Sequence, residues 1–285
     1  MDYQDTQLRD VISYCYLQNY ASALDIAQNA KETEDLLFYS KWSELKLDGA
    51  EKYLEKYESD KDCVYYVADI ELEFSLEKLN ILLQNQESLQ DKIALMYIYT
   101  KLGRFNEALE LYIATDFPNT IIDVVFYAVQ SLLQMRQVAK AYKILDEVEE
   151  SVRAQFNPIV KLLLAMINLV AANHPHYQGS NSGSLNLHNV HLKEDPSAKV
   201  VDSIRDIDAL MLRYENTMLL VEICAGLYIT IGDAEEAERV CKLVTVGERS
   251  PAIWQNLYVA LYRSGKFAEA HEIKQYLDER VLELV

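Results

Sequence analysis

The chain has 285 residues, half of them apolar, and its 45 acidic against 27 basic side chains give a formal net charge of −18 at pH 7. A surface this acidic repels nucleic-acid phosphates and anionic lipid headgroups, so we expect no direct binding to nucleic acid or to a membrane. Only 8 glycines and 5 prolines occur, where average usage would give roughly 20 and 14, which disfavours the turn-rich all-β and α/β classes.

The N-terminal third of the chain predicts helices joined by short turns. A first helix pair is indicated by apolar and small residues at helical spacing. These residues are Tyr14, Tyr20, Ala23 and Ala27. A degenerate second pair is predicted over residues 36–57, with its turn near Asp48–Gly49, and further helices are predicted over residues 64–83.

The clearest helix pair runs from Asp91 to Ile113. Apolar residues of its first helix follow a 3.6-residue period. They are Ile93, Leu95, Met96, Tyr99 and Leu102. A turn is predicted at Gly103–Arg104, and the second helix places Phe105 and Ala108 directly after that turn.

The same frame recurs along the chain. Arg136 lies 136 − 103 = 33 residues after Gly103, and Gly265 lies 265 − 232 = 33 residues after Gly232. Small, aliphatic and aromatic residues recur around these turns. They are Val138 and Ala141, Tyr228, Ala234 and Ala237, and Trp254, Leu257, Phe267 and Ala270. The pattern resembles the tetratricopeptide repeat, a helix pair of about 34 residues. This resemblance implies an all-α fold, a right-handed α-solenoid of five to seven helix pairs that forms a single domain over residues 1–285.

One interval departs from the 33-residue spacing of the turns. From Arg136 to Gly232 there are 96 residues, about 28 more than two repeats need. We predict a helix over Asn157–Ala172, its partner over Lys199–Tyr214, and a polar insertion over residues 173–198 between them. The insertion is predicted to be a long loop that is dispensable for folding, although short alternating apolar stretches leave a hairpin as an alternative.

The insertion holds the candidate metal ligands His174, His176, His188 and His191. Their H-x-H and H-x-x-H spacing could supply imidazoles to zinc. A segment rich in glycine and serine does not hold ligands rigidly, so a solvated loop is the favoured interpretation and we predict neither a metal nor a cofactor. The sequence contains no G-x-x-x-x-G-K-[ST] or G-x-S-x-G motif, and its carboxylate clusters fall at helical spacing on solvated faces. We therefore predict a protein that is not an enzyme.

The repeat frame also predicts a partner-binding groove. First helices of a helix-pair solenoid line its concave surface, and apolar residues occupy the positions that face it. These are Ile12, Tyr16, Ile93, Tyr97, Phe126 and Leu133. The Lys and Asn of chaperone-tail receptors are absent from these positions, which disfavours a co-chaperone. Two alternatives remain, a groove that holds an apolar element of a partner and a tightly coiled superhelix that buries the same side chains against itself.

Cysteine usage and hydropathy indicate the compartment. The four cysteines lie far apart without a C-x-x-C pair, which disfavours a disulfide framework or a zinc ribbon. The first residues lack the basic and apolar stretches of a signal peptide. The longest apolar run, residues 162–172, is interrupted by Asn168 and is far too short to span a bilayer. We therefore expect a cytoplasmic protein.

The order of repeats carries a second resemblance. Its segments are Tyr16–Tyr20, Leu37–Tyr39, the uninterrupted run from Ile93 to Val148, Ile229–Glu238 and Ser250–Leu257. This succession resembles the epsilon subunits of coatomer, the COPI vesicle coat. The resemblance implies a coat subunit that binds and stabilises the C-terminal domain of the coatomer alpha subunit, curling around a β-hairpin of that domain, in traffic from Golgi to endoplasmic reticulum. It further implies a peripheral location on Golgi and COPI vesicle membranes through the coat complex.

Two other functions stay open at this point. Another scaffold of the same repeat class, such as the 72-kDa subunit of the signal recognition particle, would share the helix-pair pattern. A metal-dependent enzyme that uses the insertion histidines is the remote alternative.

Overall fold

A computed structural model describes residues 3–84, 88–173 and 196–283. These residues form seventeen α-helices and two short 3₁₀ turns, and no strand occurs among them. Contacts between Cα atoms divide the chain into two compact units, residues 1–160 and residues 161–285.

Unit 1 contains the first eleven helices and the start of the twelfth. Their bounds are α1 Tyr3–Tyr16, α2 Tyr20–Asn29, α3 Glu34–Asp48, α4 Ala50–Lys56, α5 Cys63–Leu72, α6 Leu76–Gln84, α7 Leu89–Lys101, α8 Phe105–Ile113, α9 Ile122–Gln134, α10 Val138–Asp146, α11 Glu150–Gln155 and α12 Asn157–Ala172. A 3₁₀ turn over Pro118–Thr120 joins α8 to α9.

Unit 2 contains the rest of α12 and five further helices. Their bounds are α13 Pro196–Tyr214, α14 Met218–Ile231, α15 Ala234–Cys241, α16 Pro251–Arg263 and α17 Phe267–Glu283. A second 3₁₀ turn over Val246–Glu248 joins α15 to α16.

Most helices pack against their neighbours in chain order. In unit 1, α7 packs on α8 and α9 on α10, while α1 packs on α3 and α7 on α9. In unit 2, α14 packs on both α15 and α16. This is the packing pattern of an α-solenoid, in which each helix pair contacts the next pair. The predicted all-α solenoid class is therefore confirmed, whereas its tetratricopeptide form and its single domain stay predictions.

Five helix pairs turn in the same way. The turn residues have positive φ angles: Gln18 (62°), Gly103 (71°), Arg136 (57°), Gly232 (88°) and Gly265 (76°). In each turn the next residue's N–H donates to the carbonyl five residues earlier, at 2.8 to 3.0 Å. This is the Schellman ending of a helix. Four of the five turn positions are those that the 33-residue spacing predicts.

Short polar side chains mark where the helices begin. They accept a hydrogen bond from a backbone N–H of the first turn, which otherwise has no partner in the helix. Examples are Thr33 before α3, Asp62 before α5, Thr217 before α14 and Ser250 before α16. Ser88 and Asp91 form a reciprocal capping box at the start of α7.

The helices around the predicted insertion are close to those expected. Helix α12 has the predicted bounds, Asn157–Ala172. Helix α13 begins at Pro196 rather than at Lys199, so the last residues of the predicted insertion, 173–198, are helical. The physical reason is that proline is favoured at the first helical position, where no N–H is needed. Residues 174–195 lie outside the described part of the chain. No helix in the described ranges is long and apolar enough to cross a membrane.

Candidate functional site

The six residues of the predicted groove all lie in unit 1, and each is at most 8% exposed. They are Ile12, Tyr16, Ile93, Tyr97, Phe126 and Leu133. Burial within the chain itself, the second of the two alternatives, is thus what the structure shows for these side chains. Contact of any of them with a partner stays a prediction.

Aromatic rings bring four helices of unit 1 together. The ring centroids of Tyr16 on α1 and Phe126 on α9 are 4.4 Å apart. Tyr127 contacts both Tyr16, at 6.0 Å, and Tyr97 of α7, at 6.1 Å. Trp42 of α3 packs edge-on against Tyr97 at 4.9 Å. Helices α1, α3, α7 and α9 therefore converge on one aromatic core, and such ring pairs stabilise a core beyond the area that they bury.

A buried carboxylate lies in this aromatic core. Asp123 is 5% exposed, and its Oδ1 accepts hydrogen bonds from the hydroxyls of Tyr16 at 2.6 Å and Tyr39 at 2.5 Å. Burial raises the pKa of Asp123, although the two tyrosine hydrogen bonds oppose that rise. We name Asp123, Tyr16 and Tyr39 the Asp123 cluster. It ties α1 and α3 to α9.

Asp123 was not among the site residues predicted from the sequence. The available signal was one acidic residue inside the otherwise apolar stretch from Ile121 to Val129, and a buried charge is rare unless it is paired. The pKa values of the Tyr16 and Tyr39 hydroxyls are raised well above their ordinary value, chiefly by burial. Both hydroxyls therefore stay protonated at neutral pH and remain donors to the carboxylate.

A second polar group holds Tyr97. Lys46 Nζ lies 2.6 Å from Glu71 Oε1 and donates to the Tyr97 hydroxyl oxygen at 2.7 Å. The Tyr97 hydroxyl in turn donates to Glu71, and Lys46 Nζ lies 4.5 Å from the centre of the Tyr97 ring. Burial lowers the pKa of Lys46 despite the neighbouring Glu71, and burial raises the pKa of Tyr97. These polar groups are engaged with one another, so the arrangement stabilises the contact between α3, α5 and α7.

An open cleft of about 330 Å³ lies near the starts of α3, α5 and α7. Charged side chains at its wall include Glu34, Lys61, Asp62 and Asp91, and Cys63 also lines it. Burial raises the pKa of Cys63 to about 12. The thiol is therefore protonated at neutral pH and is a weak nucleophile.

All four cysteines are free and buried. Burial raises the pKa of Cys15 and of Cys241 to about 12, and it raises that of Cys224 as well. The Cys15 sulfur lies 3.3 Å from the Ser43 hydroxyl. These thiols pack as small apolar side chains rather than as reactive groups.

The candidate metal ligands His174, His176, His188 and His191 lie outside the described residues. His271 is exposed on α17. Within the described part of the chain, no group of three or more His, Cys, Asp or Glu side chains could hold a metal ion.

Comparison of the sequence with known proteins identifies no relative. No model of a known protein family matches the chain, and no curated protein matches it.

Proposed function

We propose that the protein is a non-catalytic interaction scaffold and, more narrowly, the coat subunit that its repeat order resembles. In this role it binds and stabilises the C-terminal domain of the coatomer alpha subunit in COPI traffic from Golgi to endoplasmic reticulum. It is cytoplasmic and reaches Golgi and vesicle membranes through the coat complex.

The main support for this proposal is the turn that recurs in five helix pairs. The same Schellman ending occurs at five helix pairs, and Gly103 and Arg136, like Gly232 and Gly265, are 33 residues apart. A chain built from stacked helix pairs presents long surfaces without needing an active-site cavity, and such repeats are used widely to bind other proteins. The uninterrupted helix pairs from Ile93 to Val148 and the pairs around Gly232 and Gly265 are the segments on which the coat resemblance rests.

The charge supports a location that depends on partners. A formal charge of −18 opposes direct binding to anionic lipid headgroups and to nucleic acid. A coat subunit with this charge would be recruited to membranes by protein contacts.

The test is direct binding of the purified chain to the purified C-terminal domain of the alpha subunit. We expect a stoichiometric complex by size-exclusion chromatography with light scattering. A matched control is Ala108→Asp, because Ala108 is fully buried and a charge there disrupts the repeat while making the chain more acidic. Binding that survives in this variant would indicate attraction by charge alone, and absence of a complex with the native chain would refute the coat function and leave another scaffold of the same class.

A further inference from the structure

Two large apolar side chains near the end of α8 are exposed. Ile113 is 78% exposed and Phe117 is 81% exposed. They lie four residues apart, at the C-terminus of α8 and just before the 3₁₀ turn over Pro118–Thr120. Leaving a phenylalanine and an isoleucine in water costs free energy that a partner surface would recover.

The backbone holds Phe117 in a costly conformation. Its φ is +48°, in the left-handed region that non-glycine residues rarely adopt, and the proline that follows favours an extended conformation instead. Hydrogen bonds maintain the turn. The Phe117 carbonyl accepts from the Thr120 hydroxyl at 2.7 Å and from the Thr120 N–H at 3.0 Å. Strained residues persist where the surrounding structure supports them, and they concentrate at functional positions.

Two further hydrogen bonds hold the loop between α8 and α9 in place. The Tyr112 hydroxyl donates to Asn119 Oδ1 at 2.7 Å, and the Thr115 hydroxyl donates to the Leu111 carbonyl at 2.8 Å. The exposed ring is thus presented by an ordered loop. A preorganised side chain loses little conformational entropy when it binds, which favours its use as an anchor.

Acidic residues lie close to Phe117 along the backbone, with Asp116 directly before it in the chain. The Glu149 N–H donates to the Asn119 carbonyl at 3.3 Å, which places the turn between α10 and α11 against the Phe117 loop. Asp116, Glu149 and Glu150 are all exposed, and none of the three forms an ion pair with any residue in the described ranges. We name Ile113, Asp116, Phe117, Glu149 and Glu150 the Phe117 edge.

The acidic residues of the Phe117 edge distinguish between the molecules that could bind there. A second copy of the chain would bring the same carboxylates towards one another, and like charges oppose such a contact. An anionic membrane would be repelled for the same reason. A partner protein with basic side chains around an apolar pocket would complement both features of the Phe117 edge.

We propose that the Phe117 edge docks a partner protein whose apolar pocket receives the Phe117 ring and is bordered by lysine or arginine side chains. This inference rests on the function proposed above, which names the C-terminal domain of the coatomer alpha subunit as the partner.

The test compares the native chain with Phe117→Asn in calorimetric titration with that purified alpha-subunit domain. Asparagine tolerates the left-handed conformation, so the variant keeps the turn while losing the ring. We expect binding to weaken about tenfold or more, as for an aromatic anchor, with a melting temperature that does not fall. The matched control is Leu212→Asn, because Leu212 is 91% exposed in unit 2 and its loss should leave binding unchanged. Glu149→Gln with Glu150→Gln should slow association at low salt and reduce its salt dependence.

Four outcomes would overturn the proposal. Equal binding by the native chain and Phe117→Asn would refute the docking role alone and leave the coat function standing. Absence of binding by the native chain would refute both. A dimer seen by sedimentation that Phe117→Asn abolishes would identify a second copy as the occupant. Cosedimentation with phosphatidylcholine and phosphatidylserine vesicles that depends on Phe117 would identify a membrane surface.

Discussion

Tyr16 and Asp123 lie 107 residues apart in the chain, yet the Tyr16 hydroxyl donates a 2.6 Å hydrogen bond to Asp123 Oδ1. Tyr39 donates to the same oxygen from 84 residues away. Because α1 and α3 meet α9 through one buried carboxylate, unit 1 closes on itself around the aromatic core. As a result, side chains that would be exposed in a more open solenoid lie in the interior of unit 1.

Asp123→Asn tests the electrostatics of this closure. The asparagine carbonyl can still accept both hydroxyl hydrogen bonds, but it carries no charge to be desolvated. The raised pKa of Asp123, compared with an ordinary value of 3.8, means that the native state holds its proton to higher pH than the unfolded chain does. The free energy of unfolding contributed by Asp123 is therefore full below the ordinary value and declines as pH rises through the raised pKa.

We expect Asp123→Asn to gain stability relative to the native chain as pH rises from about 4 to about 8, measured by urea unfolding. Asp25→Asn, at an exposed position of α2, is the control and should show no such trend. A variant that loses stability relative to the native chain as pH rises would contradict the sign of the shift.

Phe126→Ala tests whether the predicted groove residues are core. Phe126 is buried against Tyr16 and Tyr127, so truncation should cost about 3–5 kcal/mol of unfolding free energy. Leu212→Ala, at an exposed position, should cost no more than about 0.5 kcal/mol. Similar, small losses in both variants under guanidinium unfolding would mean that Phe126 lies on an accessible surface.

The turn residues with positive φ offer a test of the repeated turn. Arg136 adopts φ = 57°, and Arg136→Gly should raise the free energy of unfolding by about 0.5–1 kcal/mol because glycine adopts this conformation without steric cost. Gly232→Ala should lower it by about 1 kcal/mol. A Cβ added at Gly232 or at Gly247 would have no atom within 4 Å, so neither substitution meets a steric clash. Of these two glycines, Gly232 has a positive φ and Gly247 does not. Gly247→Ala is therefore the control and should be neutral, and equal effects at the two glycines would exclude the backbone explanation.

Glu238 should show the opposite pH dependence to Asp123. It is buried in unit 2, where its carboxylate lies 2.5 Å from Lys242 Nζ and 2.8 Å from Lys266 Nζ. Burial alone would raise its pKa, but hydrogen bonds from both lysines lower it below the ordinary value of 4.5. Its stabilising contribution is therefore present above that value and is lost as pH falls through the lowered pKa.

Glu238→Gln should cost about 2 kcal/mol at neutral pH, since hydrogen bonds to a charged group are replaced by weaker ones. The cost should shrink in acid, where the native carboxylate also becomes neutral. Glu235→Gln, at an exposed position of the same helix, is the control for thermal unfolding at both pH values. A cost that stays constant with pH would show that the lysine contacts do not lower the pKa.

Local features of the fold followed from the sequence because they depend on neighbouring residues. The turns at Gly103, Arg136, Gly232 and Gly265 were predicted from spacing, and their hydrogen bonds join groups only five residues apart. The bounds of α12 were predicted from an apolar run. The start of α13 was wrong by three residues, because a proline at the first helical position was assigned to the loop.

Only the tertiary structure decided which apolar faces are covered. Helical periodicity placed Tyr16, Tyr97 and Phe126 on one side of their helices. The same periodicity is expected whether that side lines an open groove or a buried core. Their burial depends on how closely α1, α3, α7 and α9 approach, which is set by contacts between residues far apart in sequence. Asp123 shows the same limit, since its partners come from two distant helices. The left-handed conformation of Phe117 was not predictable from the residue pattern either, because the proline that follows favours an extended backbone and the hydrogen bonds of the loop override that preference.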